Sequence, residues 1–237
     1  SARIQRAAQW VGAHYNWGQS AAHVQSVARQ LLQHATRQAS TSATRRQRLG
    51  IVSPWRTTCG IAEYAQALFE GWDATFDVRV YCDDRTPPAP AQQVYAPVWQ
   101  LGAQESVFRV LQDLRAQAQA GELDVLFVQH QQSLFLLTDA VCCVLREIRE
   151  LGVQVILELH STLPMVSEGR LGRRAAQALR HVDLVLVHKL DDVNNMLGLG
   201  LSDNVMHLPL SVAALDPQGP VNEHQQFGWA DDDWVLG

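Results

Sequence analysis

Two glycine fingerprints are missing from this chain where they would matter most. Its first strand-to-helix turn, Arg56–Thr57–Thr58–Cys59–Gly60, is neither G-x-G-x-x-G nor G-x-x-x-x-G-K-[ST], so the usual dinucleotide and P-loop pockets lack support. Cysteine is scarce. The four thiols, Cys59, Cys82, Cys142 and Cys143, show no C-x-x-C spacing, which excludes a zinc ribbon or a dithiol redox pair and reads as buried free thiols in a reducing, cytoplasmic compartment. Charge is low at 18% of residues, with a net of −5 and no basic excess, so a nucleic-acid partner is not expected. No apolar run has the length of a membrane span, and no charged start followed by an apolar core marks a secretion signal. There is no internal repeat, no metal-ligand spacing and no Ser/His/Asp order, so no metal and no cofactor is expected. An initiator Met is missing too: the chain runs from Ser1 to a strand-like Trp234–Val235–Leu236, the pattern expected of a fragment of a longer protein.

What is present is a globular composition, 47% hydrophobic over 237 residues, enough for a sizeable core. Residues 3–37 read as amphipathic helix broken at Asn16–Ser20, and Gln38–Thr44 as a small polar linker. Arg45, Arg46 and Arg48 form a basic cluster, read as a solvated linker end rather than an anion site. From Leu49 onward strands and helices alternate. The expected strands are Leu49–Ser53, Val78–Tyr81, Val94–Trp99, Val125–Gln129, Gln154–Leu159, Leu184–His188 and Val205–Leu208. The expected helices are Gly60–Trp72, Glu105–Ala120, Thr138–Leu151, Leu171–Arg180 and Lys189–Leu197. Continuous apolar runs such as VLFV and VILEL suit strands buried on both faces, and the alternation predicts an α/β, doubly wound, mostly parallel Rossmann-like sheet. Gly121 and Gly152 follow helices, where positive φ is common.

Such sheets hold ligands at the carboxyl ends of their strands, against helix N-termini. The turn at Gly60 is therefore the first candidate. Glycine there lets a backbone approach a ligand, and the helix N-terminus offers free N–H groups to phosphate or hydroxyl oxygens; a plain tight turn explains the same residues. Glu63 and Tyr64 stand in the first turn of that helix, and Glu63 complements the helix dipole whatever the function. His130 ends the VLFVQ strand and His160 the VILEL strand. Neutral imidazoles there could donate to a sugar hydroxyl or a phosphate oxygen, or serve only as hydrogen-bonded structural residues. His188 and Lys189 are weaker candidates of the same kind. Glu158, inside an apolar strand, needs a partner if buried. Asp231–Asp232–Asp233 reads as an exposed turn.

Several segments then match one family in order. IVSPWRTTCGIAEYAQAL resembles the first strand–loop–helix of GT-B-fold glycosyltransferases, specifically the large retaining family four. VLFVQHQQSLF resembles that family's strand ending in Gln-His, and VILELHSTLP its later strand ending in His followed by Ser or Thr. VDLVLVHKLDDVNNMLGLGLSDNVMHLPLSV resembles the run that closes the family's N-terminal domain, and FGWADDDWVLG the opening of its second domain. Together they cover about residues 48 to 237. The start, RAAQWVGAHYNWGQSAAHVQSVARQLL, resembles the C-terminal helices of the same family, with Trp17 at a common turn; a tandem arrangement or a helical extension explains it.

The resemblance implies a helical extension and linker over residues 1–44, an N-terminal glycosyltransferase domain over 45–226, and the start of a truncated second domain over 227–237. It implies sugar transfer from an activated, nucleotide-sugar donor to an acceptor hydroxyl, this chain supplying the acceptor side of the cleft. Carried over by position, Gly60 and Ile61 match the glycine loop, His160 the strand-end histidine that contacts the donor sugar and would be catalytic, and His130 a position lining the same cleft. Glu63 and Tyr64 would bind substrate hydroxyls. The donor-binding second domain is largely missing, so the fragment alone is expected to be inactive. The partners implied are a sugar or glycan acceptor and a nucleotide-sugar donor, with a membrane-peripheral position if the acceptor is lipid-linked. The alternatives are a non-catalytic carbohydrate- or nucleotide-binding module or scaffold, and an NAD-dependent oxidoreductase, the latter weakened by the absent G-x-G-x-x-G.

Overall fold

The computed structural model describes residues 19–27, 45–70, 72, 76–87, 95–167 and 169–210, with isolated positions 6, 9, 10 and 13 before them. The linker expected at 38–44, the loop expected at 211–226 and the Asp231–Asp233 triplet lie outside the described residues. So do most of the helical extension and linker expected at 1–44 and the start of a second domain expected at 227–237.

Within the described residues the chain alternates strand and helix from residue 47. The elements are β1 (Gln47–Val52), α1 (Gly60–Phe69), β2 (Phe76–Asp83), β3 (Tyr95–Trp99), α2 (Gln104–Gln119), β4 (Val125–His130), α3 (Asp139–Glu150), β5 (Gln154–Leu159), α4 (Leu163–Ser167), α5 (Arg170–Ala178), β6 (Leu184–Val187), α6 (Leu190–Gly198) and β7 (Val205–His207). Only α4 has no counterpart among the sequence expectations. It is five residues long, too short for periodicity to register. All neighbouring strands pair in parallel, in the order β3-β2-β1-β4-β5-β6-β7. The chain winds outward in one direction through β3, then returns to β1's other side with β4. This is a doubly wound Rossmann-like sheet whose order reverses between β1 and β4, the place where open sheets leave a crevice.

Every residue of β4 and β6 is buried, as is all of β5 after Gln154, because helices cover both faces. One face carries Val52, Val128, Leu157 and Leu159 against α2, α3 and the Ala176–Leu179 turn. The other carries Ile51, Phe127, Ile156 and Leu186 against Tyr64, Ala65, Leu68 and Phe69 of α1, with Ala21 and Val24 of the helical stretch 19–27. Strand side chains alternate between these faces, which later decides which histidines can meet. Gly121 and Gly152 end α2 and α3 with φ of 66° and 90°, left-handed conformations that glycine adopts without steric cost.

The Arg cluster is tied down at the amino ends of the strands. Arg45 grips Asp124 in two bonds of 2.8 and 2.7 Å, and Asp124 also accepts the Arg48 N–H at 2.8 Å. Arg46 donates to the Phe76 carbonyl. Asp183 has a matching role before β6, accepting from Val155 N–H at 2.9 Å and Arg149 at 2.8 Å. These aspartates, each just before a strand, fasten the edge opposite the carboxyl ends. Among the described residues no helix is long and apolar enough to cross a membrane. All four cysteines are free.

Candidate functional site

Parallel register assembles the site. Val52 pairs with Val128, Gln129 with Glu158, and Leu159 with Val187. One residue beyond these pairs, Ser53 comes beside Gln129 and His160 beside His188. A row of polar side chains thus crosses the carboxyl edge on the α1 face. Ser53 Oγ donates to Gln129 Oε1 at 2.6 Å, and Gln129 Nε2 donates to Glu158 Oε2 at 2.6 Å. Tyr64 reaches down from α1 and its hydroxyl donates to Glu158 Oε1, also at 2.6 Å. His188 Nε2 stands 3.6 Å from that same oxygen, and its Nδ1–H donates to the Leu208 carbonyl at 2.9 Å. The buried Glu158 therefore has the partners that a carboxylate in an apolar strand requires.

Three rings crowd around this carboxyl. Tyr64 meets His160 and His188 edge-on, each with centroids 5.4 Å apart, and the two imidazoles lie 4.8 Å apart. Burial dominates the acid–base chemistry. It pushes the Glu158 carboxyl above its usual range, opposed by His188 and by the Tyr64 and Gln129 hydrogen bonds. It pulls His160 down to about 3, reinforced by the neighbouring His188 and His130. It also raises the Tyr64 hydroxyl, with Glu158 adding to the effect. His160 is accordingly a neutral imidazole throughout the physiological range. It is half-buried, whereas His188 and Glu158 are closed off from solvent.

The neighbouring wall is the β1–α1 loop. Cys59 takes the extended conformation of a helix cap, φ −159° and ψ 128°, yet its side chain accepts no hydrogen bond from the helix. The first helical bond runs from Glu63 N–H to the Cys59 carbonyl at 3.0 Å. The leading N–H groups of α1 thus face outward with the positive end of the helix dipole. Gly60 is exposed, its φ is not positive, and a Cβ there would meet nothing within 4 Å. Neither backbone conformation nor close packing accounts for the missing side chain. Ile61 is half-buried against the core and Glu63 is exposed. In the same loop Arg56 adopts φ 47°, an uncommon region for a side-chain-bearing residue, and its guanidinium lies over the Tyr95 ring at 5.2 Å.

Six of the candidate residues named from the sequence divide by location. Gly60, Ile61 and Glu63 stand at the start of α1, with His160 at the end of β5. Tyr64 is buried, its hydroxyl committed to Glu158, so it supports the wall from behind. His130 shares the edge with His160, whose N–H donates to the His130 carbonyl at 3.0 Å. Its ring is on the opposite face. His130 pairs with Leu159, so it lies one step out of phase with His160, and its buried Nε2–H donates to the Phe135 carbonyl at 2.9 Å. Burial holds its pKa down at about 4.

Sequence reasoning passed over Ser53, Gln129 and Asp192. Asp192, in the first turn of α6, accepts from both the N–H and the hydroxyl of Thr162, and Asn195 adds a bond to that hydroxyl at 3.0 Å. This pins the turn that follows His160 at Thr162. The signal was faint but present: a Thr two residues after a strand-end His, and an Asp in a helix's first turn. Lys189, exposed at the cap of α6, takes no part in the row.

The family model described as Glycosyl transferase 4-like domain matches residues 59–209. That span runs from the cap of α1 through every element of the carboxyl edge except β1. No curated protein matches the chain.

Proposed function

The chain belongs to the glycosyl transferase 4-like family, and from that premise we propose that it forms the acceptor-side wall of a cleft in which a sugar passes from a nucleotide-sugar to an acceptor hydroxyl. The observation that carries this reading is the open space at Gly60, at the N-terminus of α1, the helix whose Tyr64 ring packs edge-on against the half-buried His160. An anionic diphosphate fits such a terminus, since free N–H groups and the helix dipole both favour negative charge. The omitted side chain leaves room for it.

Within this reading the chemistry needs no protein nucleophile. The bond between the anomeric carbon and the phosphate oxygen breaks on the same face at which the acceptor oxygen bonds to that carbon. The acceptor's proton passes to the departing phosphate oxygen. The protein's role is to hold both reactants and to stabilise the charge that grows on the phosphate. His160, kept neutral by burial, offers a hydrogen bond to a sugar hydroxyl without adding a charge. Glu158, Tyr64 and Asp192 hold its surroundings in place. Glu63, exposed one turn into α1, is suited to bind an acceptor hydroxyl.

The test is transfer by the enzyme that contains this chain, assayed with nucleotide-sugars and a panel of acceptor glycans. Replacing His160 by Ala should lower turnover roughly 100-fold, the scale of losing one well-aimed polar contact in a transition state, with the circular dichroism spectrum unchanged. Unchanged turnover would overturn the role given to His160.

A further inference from the structure

We propose that Glu158, His160 and His188 form a binding site for a divalent transition ion of the zinc class. Each offers one ligand atom, and these atoms all lie within 4.8 Å of one another. Modest side-chain rotation would bring them to the ~2.0–2.2 Å of zinc ligands.

The hydrogen-bond arrangement calls for a cation at this point. A carbonyl only accepts, so the contact between His188 Nδ1 and the Leu208 carbonyl places the ring's proton on Nδ1. A neutral His188 then turns a bare lone pair, Nε2, toward Glu158 Oε1 at 3.6 Å. That oxygen already accepts from Tyr64 and has no proton to give while the carboxylate is ionised. Two acceptors thus face each other in a dry interior. His160 Nε2 is also buried with no hydrogen-bond partner. A single proton shared by His188 and Glu158 would satisfy that pair and leave His160 Nε2 alone. A metal ion satisfies all three.

The surroundings have the second layer that metal ligands require. The Leu208 carbonyl orients His188 and fixes its tautomer. Tyr64 and Gln129 hold the two Glu158 oxygens, and Ser53 holds Gln129. Two imidazoles and a carboxylate are the donor set of open zinc sites, and nitrogen donors disfavour calcium and magnesium. Three protein ligands leave further coordination positions for water or an oxygen donor. An ion held on the inner nitrogen of His160 would leave the outer nitrogen for the cleft. Linear spacing hides the set, since His188 joins Glu158 and His160 only through the β5–β6 pairing.

The test reads the metal directly and needs no sugar substrate, so its outcome stands apart from that of the transfer assay. Chain purified without chelator should carry about one equivalent of a transition ion by elemental analysis. After chelation it should bind Co²⁺ one-to-one with visible d–d bands of a low-coordinate nitrogen–oxygen site, and Zn²⁺ should raise its melting temperature. His160→Gln and Glu158→Gln, each folded by circular dichroism, should weaken Co²⁺ binding at least tenfold. Absence of both metal and bands, with NMR placing a proton on His188 Nε2, overturns the proposal. Metal binding that neither substitution weakens assigns the ion to other histidines and overturns it equally.

Discussion

A residue without a side chain opens the wall of the candidate cleft. Gly60 sits at the first helical position of α1 with ordinary backbone angles and open space ahead. Alanine there should be tolerated by the fold, and even stabilise it by roughly 0.4–1 kcal/mol through the unfolded chain. The same methyl would stand where a phosphate is proposed to rest. The expected result for Gly60→Ala is an unchanged or slightly raised urea midpoint together with a clear rise in donor KM. Raised stability with unaltered KM would argue that nothing binds there. Tyr64 tests the support behind the wall. Tyr64→Phe keeps the ring against the two imidazoles but strips Glu158 of a 2.6 Å donor, which should cost about 1–3 kcal/mol in urea unfolding. Both residues were visible in the sequence, but their directions were not. A helix read by periodicity tells which positions are apolar; it does not tell that an apolar-face tyrosine will find a buried carboxylate on a strand far along the chain.

At the scale of elements, α1 carries a conflict between stability and binding. Its cap residue Cys59 has the backbone geometry of a side-chain cap and makes no such bond. Cys59→Asp should supply the missing acceptor and a favourable charge at the dipole's positive end, raising stability by about 1 kcal/mol. The carboxylate would also occupy and repel the proposed phosphate site. Thermal melting should therefore rise while transfer falls; a variant gaining in both would remove α1 from the donor's path. The strands carry a second lesson. VLFVQH and VILELH look alike, and each ends in histidine. Register pairs His130 with Leu159 rather than with His160, and a one-residue offset sends a strand side chain to the other face. The two imidazoles share an edge and are parted by the sheet. Apolar runs reveal where strands lie, but pairing register depends on contacts between distant segments.

For the whole molecule, buried histidines tie stability to pH. His130 and His160 have folded pKa values of about 4 and about 3, below the 6.5 of an exposed ring. Between pH 6.5 and 4 the unfolded chain binds protons that the folded chain refuses, so stability falls as the solution is acidified. His130 alone, enclosed and without a partner at Nδ1, accounts for something on the order of 3 kcal/mol across that window. Glu158, with its folded pKa raised, acts with the opposite sign: its contribution is present below the unfolded carboxyl value and is lost as pH rises through the folded one. Asp124, lowered despite its burial by Arg45 and Arg48, contributes above its unfolded value and loses that contribution below about pH 3.8. Urea midpoints from pH 7 to 4 should fall, with the His130 ring remaining neutral by NMR through pH 5; a flat series would contradict the burial of both rings. The sequence by itself determined the class of fold, the order of strands and helices from Leu49 onward apart from the five-residue α4, and the edge at which the histidines end, because these follow from apolar periodicity and turn chemistry that act locally. Only the tertiary structure decided which polar groups meet: that Glu158 is shared by Tyr64, Gln129 and His188, that His130 faces away, and that the Arg45–Arg48 cluster clamps Asp124 at the opposite edge. Those partnerships arise from parallel register and from burial, and both are properties of chain segments brought together from far apart.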